Sequence, residues 1–114
     1  MRPEIRACLH DVLQAIEETE SFFADQSLDF TRYRQDVRTR RATERNLEIM
    51  GEAVGRILKL DPAFALTSAR QIITTRNRII HGYDTVSDEM VWSIVVRHLP
   101  LLKAEVVALL GGSK

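Results

Sequence analysis

The 114 residues are the size of one domain, 1–114, and 45% of them are hydrophobic, enough for a real core and against wholesale disorder. Sixteen basic residues balance sixteen acidic ones, which excludes a nucleic-acid binder that works by bulk charge; such a contact has to come from local patterning. A single cysteine rules out an intrachain disulfide. No apolar run has signal-peptide character or reaches the roughly 18–20 residues that span a bilayer, so a soluble cytoplasmic protein without membrane contact is expected.

Strand-like alternation is absent and a 3.6-residue period recurs, which predicts four helices. The first covers 3–23. Ile5, Leu9, Val12, Ile16 and Phe23 form its apolar line, Cys8 and Leu13 lie alongside, and Pro3 suits a first helical turn. The second covers 30–60, about 45 Å of helix and longer than a small domain needs. Its apolar line runs through Phe30, Tyr33 and Val37 and resumes at Leu47, Val54 and Leu58. In between it passes through Arg40 and Glu44, so the helix protrudes there or its polar residues line a site. Arg32, Arg34, Arg38, Arg40, Arg41 and Arg45 cluster on this stretch, either as a solvated face or as a phosphate-tracking surface. Thirteen of the sixteen basic residues are Arg, whose planar fork suits phosphates, although genomic base composition also produces such a bias.

A third helix is expected over 68–81, with Ile72, Ile73, Ile79 and Ile80 on its apolar side and Gly82 in the place of a helix-ending glycine. A loop over 83–86 leads to a fourth helix over 88–110, capped by Ser87 and with Asp88 and Glu89 at the positive end of its dipole. Val91, Ile94, Val95, Leu101, Leu102, Val106 and Leu109 form its buried side, and Pro100 should kink it. The sum is an all-α, antiparallel four-helix bundle with a long second helix and a kinked C-terminal one.

The chemistry gathers in Arg76-Asn77-Arg78-Ile79-Ile80-His81-Gly82-Tyr83-Asp84. Arg76 falls on a face that ought to be buried. An unpaired buried guanidinium is costly, so it either braces a carboxylate such as Glu44, Glu48 or Glu52 or faces a polar cleft. His81 sits at a helix C-terminus, where an imidazolium is favoured. His10 reads as exposed and His98 as a satisfied core histidine. No pair of side chains has a trustworthy metal-ligand spacing, so neither metal nor cofactor is expected. RNA cleavage needs a base for the ribose 2′-hydroxyl, an acid for the leaving 5′-oxygen and a cation for the phosphoryl oxygens. One histidine cannot easily serve as both acid and base. Arg76 and His81 also point about 140° apart on an ideal helix. A two-fold homodimer that joins two copies of the motif would meet both difficulties.

Arg76, four residues, His81, one residue and Tyr83 form an R-x4-H-x-Y pattern that resembles the HepT-like toxins of the HEPN superfamily, and Asn77 fits it as well. The block over 42–53, with Glu44, Arg45, Gly51 and Glu52, is similar to that family's second-helix segment, and the likeness extends over essentially the whole chain. The resemblance implies a homodimeric, metal-independent endoribonuclease with Arg76, Asn77 and His81 at its site. It also implies a minimal nucleotidyltransferase antitoxin that attaches AMP to Tyr83. Glu44, Arg41 and Arg45 are candidates for support or RNA contact. Two other readings use the same residues: a non-catalytic helical dimer that binds a nucleotidyltransferase and helps hold its nucleotide or substrate, and a purely structural bundle with an Arg–Glu brace.

Overall fold

A computed structural model describes residues 1–24, 28–81 and 87–111. In chain order it contains α1 (Pro3–Ser21), α2 (Phe30–Gln35), α3 (Val37–Leu60), α4 (Ala69–His81), α5 (Asp88–Ser93), a π-turn (Ile94–His98) and α6 (Leu99–Gly111). No strand occurs among the described residues. α3 is the central rod, with α1 and α4 packed against it; α6 packs on α1, and α5, the π-turn and α6 form one continuous rod. The expected all-α bundle is therefore present.

The amphipathic spacing explains the core. Leu9, Val12 and Ile16 of α1 meet Leu47, Met50, Val54 and Ile57 of α3, Ile72 of α4 and Val91, Leu102 and Val106 of the last rod, all fully buried. Each such side chain contributes about 1.5–3 kcal/mol by leaving water. Cys8 is buried with them, and that burial pushes its thiol pKa up. His10 is exposed. His98 shares a 3.1 Å hydrogen bond with the Ser68 hydroxyl through Nδ1, so it is a partnered, half-buried histidine. One polar bridge crosses the core: Asn46 Nδ2 donates to Thr19 Oγ1 over 3.1 Å, and the Thr19 hydroxyl donates to the Ala15 carbonyl.

The structure corrects two expectations. The second helix does not run unbroken over 30–60. Asp36 leaves the helical region (φ −103°, ψ 94°), ends α2 and caps α3, its carboxylate accepting from the Thr39 N–H and hydroxyl. An Asp that offers its side chain to a backbone N–H three residues on competes with continuation of the helix.

The second correction concerns the last rod. The disturbance expected from Pro100 takes the form of a π-turn just before it. Leu99 donates its N–H to the Ile94 carbonyl, five residues back, and Pro100 has no N–H to give. The extra residue in the turn rotates the following face by about 100°. Leu101, expected inside, is consequently 54% exposed and Leu109 is half-buried, while Leu99, Leu102, Val106 and Leu110 face the core. The Ser87 cap is as expected: its hydroxyl accepts from the Met90 N–H.

Candidate active site

The site is built where α4 lies closest to α3. Gly51 of α3 is buried, and a Cβ placed there would collide with Cβ and Cγ of Arg76 and stand 3.3 Å from the Ile72 carbonyl oxygen. The missing side chain lets the Arg76 stem rest directly on the α3 backbone. This close approach buries the Arg76 Nε, which has no hydrogen-bond partner among the described residues, while Nη1 donates to Asn77 Oδ1 over 3.0 Å. The guanidinium thus emerges from the core edge with its inner nitrogen dry and its outer edge beside Asn77.

The brace to a carboxylate on α3 is not formed. Glu44 pairs with Arg41 at 3.3 Å, Glu48 with Arg45 at 3.1 Å and Glu52 with Arg56 at 3.2 Å, all within α3. The one side-chain partner of Arg76 among the described residues is Asn77, not an α3 carboxylate.

His81 is the last residue of α4 and is exposed. It lies five residues, about 7.5 Å of helix, beyond Arg76 and roughly 140° around the axis, so one copy of α4 does not aim the two at one point. α4 runs antiparallel to α3, so His81 is carried toward the level of Glu44, whose side chain is only 16% exposed. Arg41 and Arg45 stand on the outer face of α3, both exposed and each partly neutralised by its own carboxylate. Such surface pairs hold little energy, so these arginines can exchange a carboxylate for a phosphate. Arg38 shares their stripe, and a groove of about 460 Å³ at the α2–α3 break is lined by Arg32 and Arg38 with Asp36. Gly82 and Tyr83 lie outside the described residues. Among the described residues no cluster of three or more His, Cys, Asp or Glu side chains could hold a metal ion, and no helix is long and apolar enough to cross a membrane.

Sequence reasoning missed a second polar layer at this end. Arg40 Nη1 lies 3.4 Å from Asp88 Oδ1 and 3.5 Å from Oδ2, joining α3 to the first residue of α5. Beside it the Tyr33 ring is packed among Phe23 and Trp92, with its hydroxyl buried and without a partner among the described residues. Burial, reinforced by Glu44 and Asp88, raises the Tyr33 pKa well above its ordinary value. The signal for this layer was the appearance of Arg40 and Glu44 on an otherwise apolar line.

Residues 12–109 match the family described as ribonuclease HepT-like. The chain belongs to that family. It is 32% identical over 101 residues to a Thermococcus cleftensis protein named as a probable ribonuclease HepT, covering 85% of this chain and 87% of that one. Two Methanocaldococcus jannaschii proteins provisionally named as RNases are also similar. One is 30% identical over 105 residues (90% of this chain, 94% of the relative) and the other 27% over 100 residues (87% and 81%). No solved structure matches. In this fold the stretch of α3 that holds Gly51 and the stretch of α4 that holds Arg76 are pressed together.

Proposed function

We propose that this chain is the toxin of a type VII (HEPN/MNT) toxin–antitoxin pair, a metal-independent endoribonuclease that acts as a cytoplasmic homodimer. His81 takes the proton of a ribose 2′-hydroxyl, whose oxygen attacks the adjacent phosphorus. The P–O5′ bond breaks to leave a 2′,3′-cyclic phosphate, and a second acid, the His81 of another copy, protonates the departing 5′-oxygen. Arg76 places fixed positive charge on the non-bridging oxygens, and Asn77 orients that guanidinium. Arg41 and Arg45 guide the RNA backbone, and Glu44 supports the site from α3.

The antitoxin is a minimal nucleotidyltransferase that neutralises the enzyme. The Tyr83 hydroxyl attacks the α-phosphorus of ATP, pyrophosphate leaves, and an AMP group remains two residues from His81. Its bulk and negative charge obstruct RNA and offset Arg76.

The observation that carries this reading is Arg76, rooted on Gly51 with a buried Nε that has no partner among the described residues and held at its tip by Asn77, rather than braced by the α3 carboxylates. A structural bundle would have closed that charge with Glu48 or Glu52. The test is cleavage of RNA in chelator by purified protein. Wild type cuts, while Arg76→Ala and His81→Ala each lose cleavage and still fold. Equal cutting by all three would remove the catalytic assignment. Intact mass of the protein made with and without the nucleotidyltransferase tests the Tyr83 step through a discrete gain of AMP that Tyr83→Phe abolishes.

A further inference from the structure

The Arg40–Asp88 pair has no part in the chemistry above, yet it is the least exposed ion pair among the described residues. Its side chains are 24% and 25% exposed, whereas every other pair has at least one partner above a third. The Arg40 Nε is buried without a hydrogen-bond partner among the described residues. A pair withdrawn from water in this way adds little net stability and is better explained by a geometry that it fixes.

Its place in the chain says which geometry. Asp88 opens α5 directly after the Ser87 cap, and His81 closes α4. The six residues between them include Tyr83. α4 is seated on Gly51 and Asp88 is held on Arg40; both footings belong to α3, about 16 Å apart along one helix. A carboxylate lying over Arg40 would repel a phosphate, so this arginine is poorly placed to bind RNA itself, unlike the exposed Arg41 and Arg45.

We propose that Arg40 is a positioning residue: acting through Asp88, it ties the start of α5 to α3 and so restrains the end of α4 that presents His81 to substrate. This rests on the ribonuclease reading of Arg76 and His81. The alternative role is direct contact with an RNA phosphate, and Asp88 separates the two. A phosphate contact is freed by Asp88→Asn, whereas a strut is lost.

The experiment measures kcat, KM and salt dependence on an RNA oligonucleotide for Arg40→Ala, Asp88→Asn, Asp88→Glu and the double variant Arg40→Ala/Asp88→Asn. The strut predicts that kcat falls about 10- to 100-fold in either single variant with KM nearly unchanged, the scale of loss from a small misplacement. The double variant loses no more than a single one, because both remove one interaction. Asp88→Glu keeps most of kcat, and the salt slope stays that of wild type. Additive losses, full activity in Asp88→Asn, or a salt slope shallower by about one in Arg40→Ala would each overturn it.

A second readout needs no activity. The His81 ring resonances and the backbone amide resonances at the end of α4 shift in Asp88→Asn and return in Asp88→Glu. Spectra unchanged by Asp88→Asn overturn the strut. If the wild type cuts no RNA, the proposed function fails, and the spectra alone decide the strut.

Discussion

A methyl group at position 51 has nowhere to go, because Arg76 already occupies its place. Gly51→Ala should therefore push α4 outward and destabilise the fold by about 1–3 kcal/mol, the usual penalty for an inserted methyl in a tight contact. Cleavage should fall further than stability, since the atom displaced is the stem of the proposed phosphate-binding guanidinium. Chemical denaturation and an RNase assay on the same preparation check both. Arg76, His81 and Asn77 could be proposed from the sequence because their types and spacing carry chemistry. The role of Gly51 was not, because it depends on the distance between two helices, which a one-dimensional pattern does not record. Tyr33 makes the same point, since its apolar register was readable but its stranded hydroxyl was not. With the native pKa raised, the folded protein keeps the Tyr33 proton at a pH where the unfolded chain gives it up. Stability from this group is therefore whole below the ordinary phenol value of 10.0 and declines as pH rises above it. Tyr33→Phe should be near neutral at pH 7, as it removes a buried hydroxyl with no partner among the described residues, and should flatten the alkaline decline; urea midpoints measured at pH 7 and on the alkaline side test this.

At the scale of elements, the apolar period placed α1, α3, α4 and the last rod and even the Ser87 cap, because amphipathicity and capping are local properties that survive in a linear text. It failed at Asp36 and before Pro100, where a single residue outweighs the period. The continuous stripe of Phe30, Tyr33 and Val37 hid the break at Asp36, and the π-turn moved Leu101 out of the core after the pattern had seemed to include it. Asp36 also yields a test. The Thr39 hydroxyl and N–H, which bind its carboxylate, hold its pKa below the ordinary value of 3.8. Its capping contribution is thus present above that value and fades as pH falls through the lowered one. Asp36→Ala should lower the melting temperature at pH 7, with the difference from wild type shrinking below about pH 4 as the native carboxylate itself becomes protonated. A constant difference across that range would mean that the charged cap is not what separates α2 from α3.

The whole molecule is neutral but not evenly so. Between residues 30 and 45 six arginines face two carboxylates, an excess of +4 that the rest of the chain cancels. That basic stretch lies at the end of the bundle toward which α4 delivers His81, so a neutral protein can present a phosphate-attracting end. The same end poses the geometric problem of the site: within one chain Arg76 and His81 diverge by about 140° around α4. Under the proposed two-fold assembly the answer lies across the axis, with the arginine of one subunit serving the histidine of the other. This arrangement makes a prediction that a self-contained site does not. Wild-type and His81→Ala subunits are unfolded together in equal amounts, refolded and tested as a mixture. A mixed dimer then holds one imidazole where the proposed turnover uses two, base and acid. Random pairing makes about half of the dimers mixed and about a quarter wholly wild type, so activity should fall to roughly a quarter of the wild-type level per subunit. If each subunit carries a complete site of its own, the mixture keeps roughly half, the share of wild-type subunits in it. Size-exclusion chromatography of the refolded mixture, with the two subunits differently tagged, confirms that mixed dimers are present and makes a half-active mixture a result against the shared site.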